Sequence, residues 1–255
     1  MSFFQSIFLA VVQGITEFLP ISSSGHLIFF QKLFGIASPP VLFDVLLHFG
    51  TLGAILIYFR KEIILLFKEC KKNINTWRLI IIGTIPAVIL GLCINNMIEE
   101  VFNSVKLVGV MWLVMGTMLL LIKRVSQENR KEELGNVKNK DALVVGIFQA
   151  FALLPGISRA GSTIFGGLLR KLNPKTAFTF SFLLAIPAIL GATVLQLISN
   201  KPDKADLLNG VLPMFVAGLV GFYSLKFLQK TLISRKFYLF GFYCLFLGVI
   251  VLFFL

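Results

Sequence analysis

Charged residues are scarce in this 255-residue sequence: Lys, Arg, Asp and Glu make up 14% of it, whereas hydrophobic residues make up 57%. An average soluble domain is about 25% charged, so this chain has too few polar groups to cover a globular surface. A disordered chain is excluded as well, because 27 phenylalanines stand against only 12 acidic residues. The composition indicates an integral membrane protein.

Acidic residues are fewer than basic ones, which leaves a net charge of +12. In a soluble protein this excess would suggest nucleic-acid binding, but here the basic residues lie between apolar runs and not on one face. We expect them to lie at an anionic membrane surface, and we expect no nucleic-acid partner. The three cysteines are isolated in sequence, which excludes a disulfide framework and a zinc site.

Long apolar runs predict the membrane spans. A spanning helix needs about 20 mostly apolar residues, and six stretches meet this length: about 41–59, 79–98, 106–123, 177–198, 210–229 and 237–255. Two shorter apolar stretches, 3–20 and 142–155, end in segments rich in Pro, Gly and Ser, with short apolar pieces after them at 27–36 and 163–169. Such segments are typical of re-entrant or broken helices.

The basic residues orient these spans. The linkers at 60–78 and 123–141 carry six Lys or Arg residues each, and the positive-inside rule places both in the cytoplasm. Residues 99–105 carry two glutamates and no basic residue, so we expect them outside. The first three spans then run in, out, in, and the last three run out, in, out, which inverts the two halves relative to each other.

A short internal sequence repeat supports this inversion. Gln13 lies eight residues before the stretch 21–25 (Ile-Ser-Ser-Ser-Gly), and Gln149 lies eight before 157–161 (Ile-Ser-Arg-Ala-Gly). We predict an all-α integral membrane protein with six transmembrane helices plus two re-entrant, broken helical hairpins in an inverted-topology repeat. The single membrane domain, 1–255, would divide into a first repeat, a cytoplasmic linker and a second repeat at 1–123, 124–141 and 142–255.

Few titratable residues lie at membrane depth: Glu17, His26, Asp44, His48 and Arg159. Such residues are costly unless they are paired or hydrated, so each is a functional candidate. The alternative is a contact that only holds helices together. For Asp44 and His48, four residues apart on the first span, this alternative stays open.

The candidate chemical groups lie in the two segments that interrupt the broken helices, which we call the breaks. In the first, Pro20 ends a helix and Gly25 permits a close turn, while serines 22–24 offer hydroxyl and amide donors where a helix restarts, which is an anion-binding arrangement. In the second, residues 155–163, Arg159 supplies a permanent cation. Together the breaks fit a phosphate-bearing ligand and phosphoryl transfer better than ion conduction, although a Glu–Arg pair that only joins them remains an alternative.

Residues 13–26 (Gln-Gly-Ile-Thr-Glu-Phe-Leu-Pro-Ile-Ser-Ser-Ser-Gly-His) resemble the (E/Q)xxxE-FLP-x-SS-x-GH signature of the undecaprenyl pyrophosphate phosphatases, the bacitracin-resistance family. Residues 155–163 are similar to that family's PGxSRSxxT motif, and the resemblance runs the length of the chain. Ala160 departs from the family's usual Ser, which leaves Ser158 and Thr163 as the hydroxyls of that break. Gln13 is the permitted alternative to Glu, which puts more of any metal or base role on Glu17.

The resemblance implies a membrane phosphatase that removes the terminal phosphate of the C55 isoprenyl pyrophosphate carrier and recycles it for peptidoglycan synthesis. It also implies a divalent cation, Mg²⁺ or alternatively Ca²⁺, and a multi-pass location in the bacterial cell membrane with the active site facing outside. A homodimer is a further possibility that the sequence does not decide.

We assign catalytic roles to four residues. Ser23 is the candidate nucleophile, with His26 as its base or as the acid for the leaving group, while attack by His26 or by water stays open. Arg159 would neutralise the equatorial phosphate oxygens, and Glu17 with Gln13 would hold the metal. The remaining phosphate-binding candidates are Ser22, Ser24, Gly25, Ser158, Gly161 and Thr163.

Two other functions remain open from the sequence: a transporter or flippase of the polyprenyl phosphate lipid, since inverted repeats with broken helices are common in transporters, and a non-catalytic membrane scaffold. A serine-triad hydrolase is disfavoured because the sequence has no GxSxG motif.

Overall fold

The computed structural model describes residues 1–36, 41–94, 104–124, 134–199 and 204–254, and every regular element in these ranges is a helix. The eleven α-helices of the described residues are α1 (Phe3–Thr16), α2 (Ser23–Leu33), α3 (Val41–Tyr58), α4 (Arg60–Lys68), α5 (Ile74–Ile94), α6 (Val105–Leu121), α7 (Asn139–Phe151), α8 (Arg159–Leu169), α9 (Pro174–Ser199), α10 (Lys204–Ile233) and α11 (Leu239–Phe254). Short 3₁₀ turns lie at Ile122–Arg124 and Leu134–Asn136. The prediction of an all-helical protein is confirmed for these ranges.

Four helical segments are long and apolar enough to cross a membrane: Ile74–Ile94, Val105–Arg124, Pro174–Gln196 and Asn209–Ile233. They match four of the six predicted spans and make the chain a multi-pass membrane protein. Half of the predicted cytoplasmic linker 124–141 and most of the predicted external segment 99–105 lie outside the described residues.

The other two predicted spans differ from a simple straight helix. The segment at 41–59 is α3, which passes the length criterion only together with α4, and the two are bent by 72°. The segment at 237–255 is α11, whose 16 residues extend about 24 Å, short of the ~30 Å hydrocarbon core. By length and composition the described helices therefore supply four spans, or five with the bent pair, and the six-span layout stays a prediction.

The two predicted broken helices are both interrupted where the sequence indicated. Residues 17–22 separate α1 from α2, and residues 152–158 separate α7 from α8. In each pair the two helices pack against each other. α2 and α8 have 11 residues each, about 16 Å of helix, which is roughly half the bilayer core.

Helices of the first half pack against helices of the second half, which we call crosswise packing. α1 lies against α10 and α7 lies against α5, while α6 packs along α11. Small residues permit these close contacts: a Cβ on Gly14 would lie 2.7 Å from the Ala217 oxygen, and one on Gly146 would lie 2.4 Å from the Gly83 oxygen. Such small-residue contacts are typical of packed membrane helices, and the crosswise arrangement brings the two breaks to the same region.

Candidate active site

The first break is shaped by a strained serine. Glu17 caps the end of α1, donating its backbone N–H to the Gln13 carbonyl. Ser22 is the N-cap of α2 with φ of +68°, a left-handed conformation that costs energy for a residue with a side chain. Its buried hydroxyl accepts a hydrogen bond from the Gly25 N–H at 3.3 Å. The chain therefore turns sharply between Glu17 and the start of α2.

The second break is built in an equivalent way. Ser158 is the N-cap of α8 and accepts a hydrogen bond from the Gly161 N–H at 3.1 Å. Gly156 has φ of +98°, and a Cβ there would lie 2.7 Å from the Val108 oxygen. Only glycine fits this position without displacing α6.

The two breaks contact each other directly. The Gly156 N–H donates to the Ser22 hydroxyl at 3.1 Å, and the Ser158 hydroxyl donates to the Leu19 carbonyl at 3.1 Å. Trp112 of α6 lies behind them and donates its indole N–H to the Ile21 carbonyl at 2.8 Å. Ser22 and Ser158, which the sequence suggested as phosphate ligands, thus use their buried hydroxyls to hold the two breaks together.

Glu17 is the centre of the polar cluster. Its Oε1 accepts a hydrogen bond from Arg159 Nη2 at 3.0 Å, and its Oε2 accepts from Ser23 Oγ at 2.6 Å and from Gln13 Nε2 at 3.0 Å. The carboxylate is nearly inaccessible to solvent. The structure therefore brings together a carboxylate, a hydroxyl and a guanidinium that come from both breaks.

Arg159 retains a donor with no partner in the protein. Nη2 bonds Glu17, whereas Nη1 is buried and has no hydrogen-bond partner among the described residues. The guanidinium lies over the Phe182 ring at 5.6 Å. Because an unsatisfied buried donor costs about 1–3 kcal/mol and more when charged, the free N–H groups of Arg159 suit an anionic oxygen of a ligand.

His48 belongs to this cluster, although the sequence left it as a possible helix contact. Its Nδ1 lies 3.0 Å from Gln13 Nε2 and 3.4 Å from Glu17 Oε2. The side chain is 34% exposed, whereas those of Glu17 and Arg159 are 7% and 15% exposed. A signal was present, since the chain has only two histidines and this one lies within an apolar span.

Asp44 lies apart from these contacts. Gln31 Nε2 donates to its two carboxylate oxygens at 3.2 and 3.4 Å. This contact ties the end of α2 to the start of α3, which is the structural alternative that the sequence left open for Asp44.

His26 is not placed as the base for Ser23. Its Nδ1 lies 2.7 Å from the Ser22 carbonyl and its Nε2 lies 2.8 Å from the Tyr243 hydroxyl. The ring is stacked on Tyr243 and edge-on to Trp112. Since both ring nitrogens are engaged and Ser23 instead bonds Glu17, the group in position to accept the serine proton is the carboxylate. Tyr243, from α11, is a neighbour that the sequence did not suggest.

The other phosphate-binding candidates lie near the N-terminal ends of α2 and α8. Thr163 is buried, donates to the Arg159 carbonyl at 2.8 Å and lies 2.6 Å from Ser181 Oγ. Gly161 lies against Pro20, where a Cβ would come within 2.9 Å of the Pro20 Cβ. Gly25 contacts Trp112 closely, and Ser24 Oγ lies 3.2 Å from the Ser22 hydroxyl. These residues shape the two helix starts that carry Ser23 and Arg159.

The residues beside Glu17 fit a divalent cation that is held partly by substrate. No three His, Cys, Asp or Glu side chains converge on a common point within the part of the chain that the structure describes. Gln13 Oε1 is buried with no hydrogen-bond partner there, next to the Glu17 carboxylate. Mg²⁺ is usually held by one or two carboxylates together with water and substrate phosphates, and this donor set agrees with that pattern.

Comparison with known proteins identifies the family. The family model of bacitracin resistance protein BacA matches residues 6–250. The chain belongs to the BacA family. Similar BacA relatives include the undecaprenyl-diphosphatase of Carboxydothermus hydrogenoformans, which is 42% identical over 257 residues, or 99% of this chain and 97% of the relative. The undecaprenyl-diphosphatases of Halothermothrix orenii and Methanococcus maripaludis strain C6 are each 39% identical, over 99% and 98% of this chain and 98% and 100% of the relatives.

Both breaks and the whole polar cluster lie inside the region that the BacA model matches. Glu17, Ser23, His48 and Arg159 are therefore part of the family domain and not of an appended segment.

Proposed function

We infer that the protein is an undecaprenyl-diphosphatase, a membrane hydrolase that converts a polyprenyl diphosphate to the monophosphate and releases inorganic phosphate. Its BacA membership and the names of its relatives support this activity. The observation that carries the chemistry is the Ser23 hydroxyl, 2.6 Å from a carboxylate that Arg159 pairs at 3.0 Å.

We propose that Ser23 attacks the terminal phosphorus. Its proton passes to Glu17, the Ser23 Oγ–P bond forms, and the bond from phosphorus to the bridging oxygen breaks, which releases the polyprenyl monophosphate. Water then attacks the phosphorus of the phosphoserine, the Ser23 Oγ–P bond breaks, and Glu17 returns its proton to Ser23 Oγ, which releases inorganic phosphate. The polyprenyl monophosphate is stable as an anion, so the oxygen that separates from phosphorus in the first step does not need a proton from a strong acid. His26, whose nitrogens are both engaged, supports the start of α2 in this proposal.

Arg159 would bind the transferring phosphoryl group. Its partnerless Nη1 can donate to an equatorial oxygen, where negative charge is spread in the transition state. The bond from Nη2 to Glu17 keeps the guanidinium beside the nucleophile. Preorganised donors of this kind need no reorganisation during reaction.

We propose that Glu17 and Gln13 hold the divalent cation, Mg²⁺ or alternatively Ca²⁺. When bound there, the cation neutralises charge on the diphosphate. Gln13 Nε2 lies 3.0 Å from Glu17 Oε2, so the Gln13 amide, whose Oε1 is buried without a partner among the described residues, lies beside that carboxylate oxygen.

We propose the full membrane layout of six spans and two re-entrant hairpins, with repeats at 1–123 and 142–255 joined by a cytoplasmic linker at 124–141. The half-span lengths of α2 and α8, the crosswise packing and the basic linkers support it. In the bacterial cell membrane the breaks would then open toward the outer leaflet, where the polyprenyl tail stays in lipid and the diphosphate reaches Arg159.

The activity is tested with purified protein in detergent and C55 polyprenyl diphosphate, measuring phosphate release with and without EDTA. Release without any gradient or second compartment is the expected result, and it distinguishes an enzyme from a transporter or flippase. Arg159→Ala should lose about 10²–10³-fold in rate, whereas the matched control Arg78→Ala, an exposed arginine bonded to Asn75, should retain it. Absence of release by the wild type, or normal release by Arg159→Ala, rejects the proposal.

A further inference from the structure

Three potential metal-ligand groups converge beside Ser23, one more than the two that hold the cation in the proposed function. The Gln13 amide lies 3.0 Å from Glu17 Oε2 and 3.0 Å from His48 Nδ1, and His48 Nδ1 lies 3.4 Å from Glu17 Oε2. They come from α1, its cap and α3, so the triangle depends on how these helices pack.

The size of this triangle matches one face of a metal coordination sphere. Adjacent ligand atoms of an octahedral cation with bonds of about 2.1 Å lie about 3 Å apart. A half-turn of the Gln13 amide would place its oxygen, which is buried without a partner among the described residues, in the position that its nitrogen occupies. An amide oxygen, a carboxylate oxygen and an imidazole nitrogen would then lie about 3.0–3.4 Å from one another.

The alternative ligands near this point are already engaged. Asp44, four residues before His48, accepts from Gln31. His26, the other histidine of the chain, is held by the Ser22 carbonyl and the Tyr243 hydroxyl. His48 is partly exposed and its Nδ1 points into the cluster, so it is the histidine placed to add a nitrogen to the oxygen ligands.

We propose that His48 is a third protein ligand of the divalent cation, which adds an imidazole nitrogen to the oxygen ligands of Glu17 and Gln13. Substrate phosphate and water complete the coordination. The proposal rests on the divalent cation of the proposed function and adds a ligand to it.

The test uses Mn²⁺ as the probe on the full-length protein in detergent, purified without a histidine tag. Pulsed electron paramagnetic resonance of bound Mn²⁺ should show modulation from an imidazole ¹⁴N in the wild type. His26→Gln should keep this modulation, which assigns it to His48 because the chain has only two histidines. His48→Gln should lose it and should bind Mn²⁺ at least about tenfold more weakly, since even groups that only support a ligand cost about 10–100-fold in metal affinity.

Bound Mn²⁺ without imidazole modulation in the wild type, modulation that His26→Gln abolishes, or no saturable Mn²⁺ binding overturns the proposal. The wild type and His26→Gln decide the outcome even if His48→Gln does not fold.

The two proposals fail separately. Phosphate release from C55 polyprenyl diphosphate without imidazole modulation rejects only the role of His48. Imidazole modulation without phosphate release rejects only the diphosphatase.

Discussion

Arg159 and Glu17 are 142 residues apart in sequence, yet Nη2 of the arginine lies 3.0 Å from Oε1 of the glutamate. Both side chains are largely buried, so each neutralises a charge that would otherwise lie uncompensated in a low-dielectric interior. The pair also joins the two helix breaks. One contact therefore serves the stability of the fold and the placement of Ser23 beside a charged acceptor.

Replacing Glu17 by Gln should reduce phosphate release by at least about 10²-fold, because it removes both the proton acceptor and the negative charge that pairs Arg159. The melting temperature in detergent should fall as well, since a buried guanidinium loses its partner. Glu69→Gln, at an exposed glutamate that pairs Lys72, is the matched control and should change neither. A Glu17→Gln protein with normal turnover would show that Ser23 uses another base.

Ser23→Ala and Ser22→Ala should have different consequences. Ser23→Ala should abolish phosphate release with little change in melting temperature, because its hydroxyl is the proposed nucleophile. Ser22→Ala should lower the melting temperature, because its hydroxyl holds the Gly25 and Gly156 N–H groups; each lost bond costs about 1 kcal/mol.

The control for both serine variants is Ser224→Ala, which removes a bond within α10. Trapping of a phosphoserine at position 23 by acid quench and mass spectrometry is the direct measurement. Turnover by Ser23→Ala close to the wild-type rate would leave attack by water or by His26 as the mechanism.

Gly156→Ala should destabilise the protein by about 1–3 kcal/mol and reduce activity. The residue has φ of +98°, and a Cβ would lie 2.7 Å from the Val108 oxygen, so α6 and the second break must separate. Gly53→Ala in α3 is the matched control, because no atom from outside the adjoining backbone of α3 lies within 4 Å of its Cβ position. Thermal unfolding in detergent compares the two, and equal melting temperatures would mean that the second break is not under this constraint.

Tyr243→Phe should test whether His26 takes part in the chemistry. The variant keeps the ring stacked on His26 but removes the hydroxyl that lies 2.8 Å from Nε2. If His26 only supports α2, phosphate release should fall less than about tenfold with a stability loss of about 1 kcal/mol. Tyr223→Phe on α10, an exposed tyrosine, is the control. A loss of 10²-fold or more in turnover would instead assign His26 a chemical role.

Local sequence features allowed the two breaks and the Glu17–Arg159 pair to be predicted. Pro20, the glycines and the serines interrupt apolar runs at 3–36 and 142–169, and a chain in a membrane keeps such interruptions only where the backbone is buried in protein or lines a cavity. A carboxylate in one break and a guanidinium in the other could be expected to meet. The structure confirms that contact.

The contacts of His48, His26 and the capping serines could not be predicted from local sequence features. His48 meets Gln13 over 35 residues and His26 meets Tyr243 over 217. Both contacts depend on which way each helix is rotated. In a soluble helix an apolar stripe would reveal that rotation, but here lipid and protein interior are both apolar.

By itself the sequence determined that this is a multi-pass helical membrane protein with two interrupted helices, because apolar length and helix-breaking residues act locally. Only the tertiary structure decided that Glu17 rather than His26 contacts Ser23, that Ser22 and Ser158 bind backbone groups, and that His48 joins the cluster. The physical reason is that these contacts are set by the packing of helices whose faces are almost uniformly hydrophobic, so the pattern of residues along each helix does not show which side faces its neighbours.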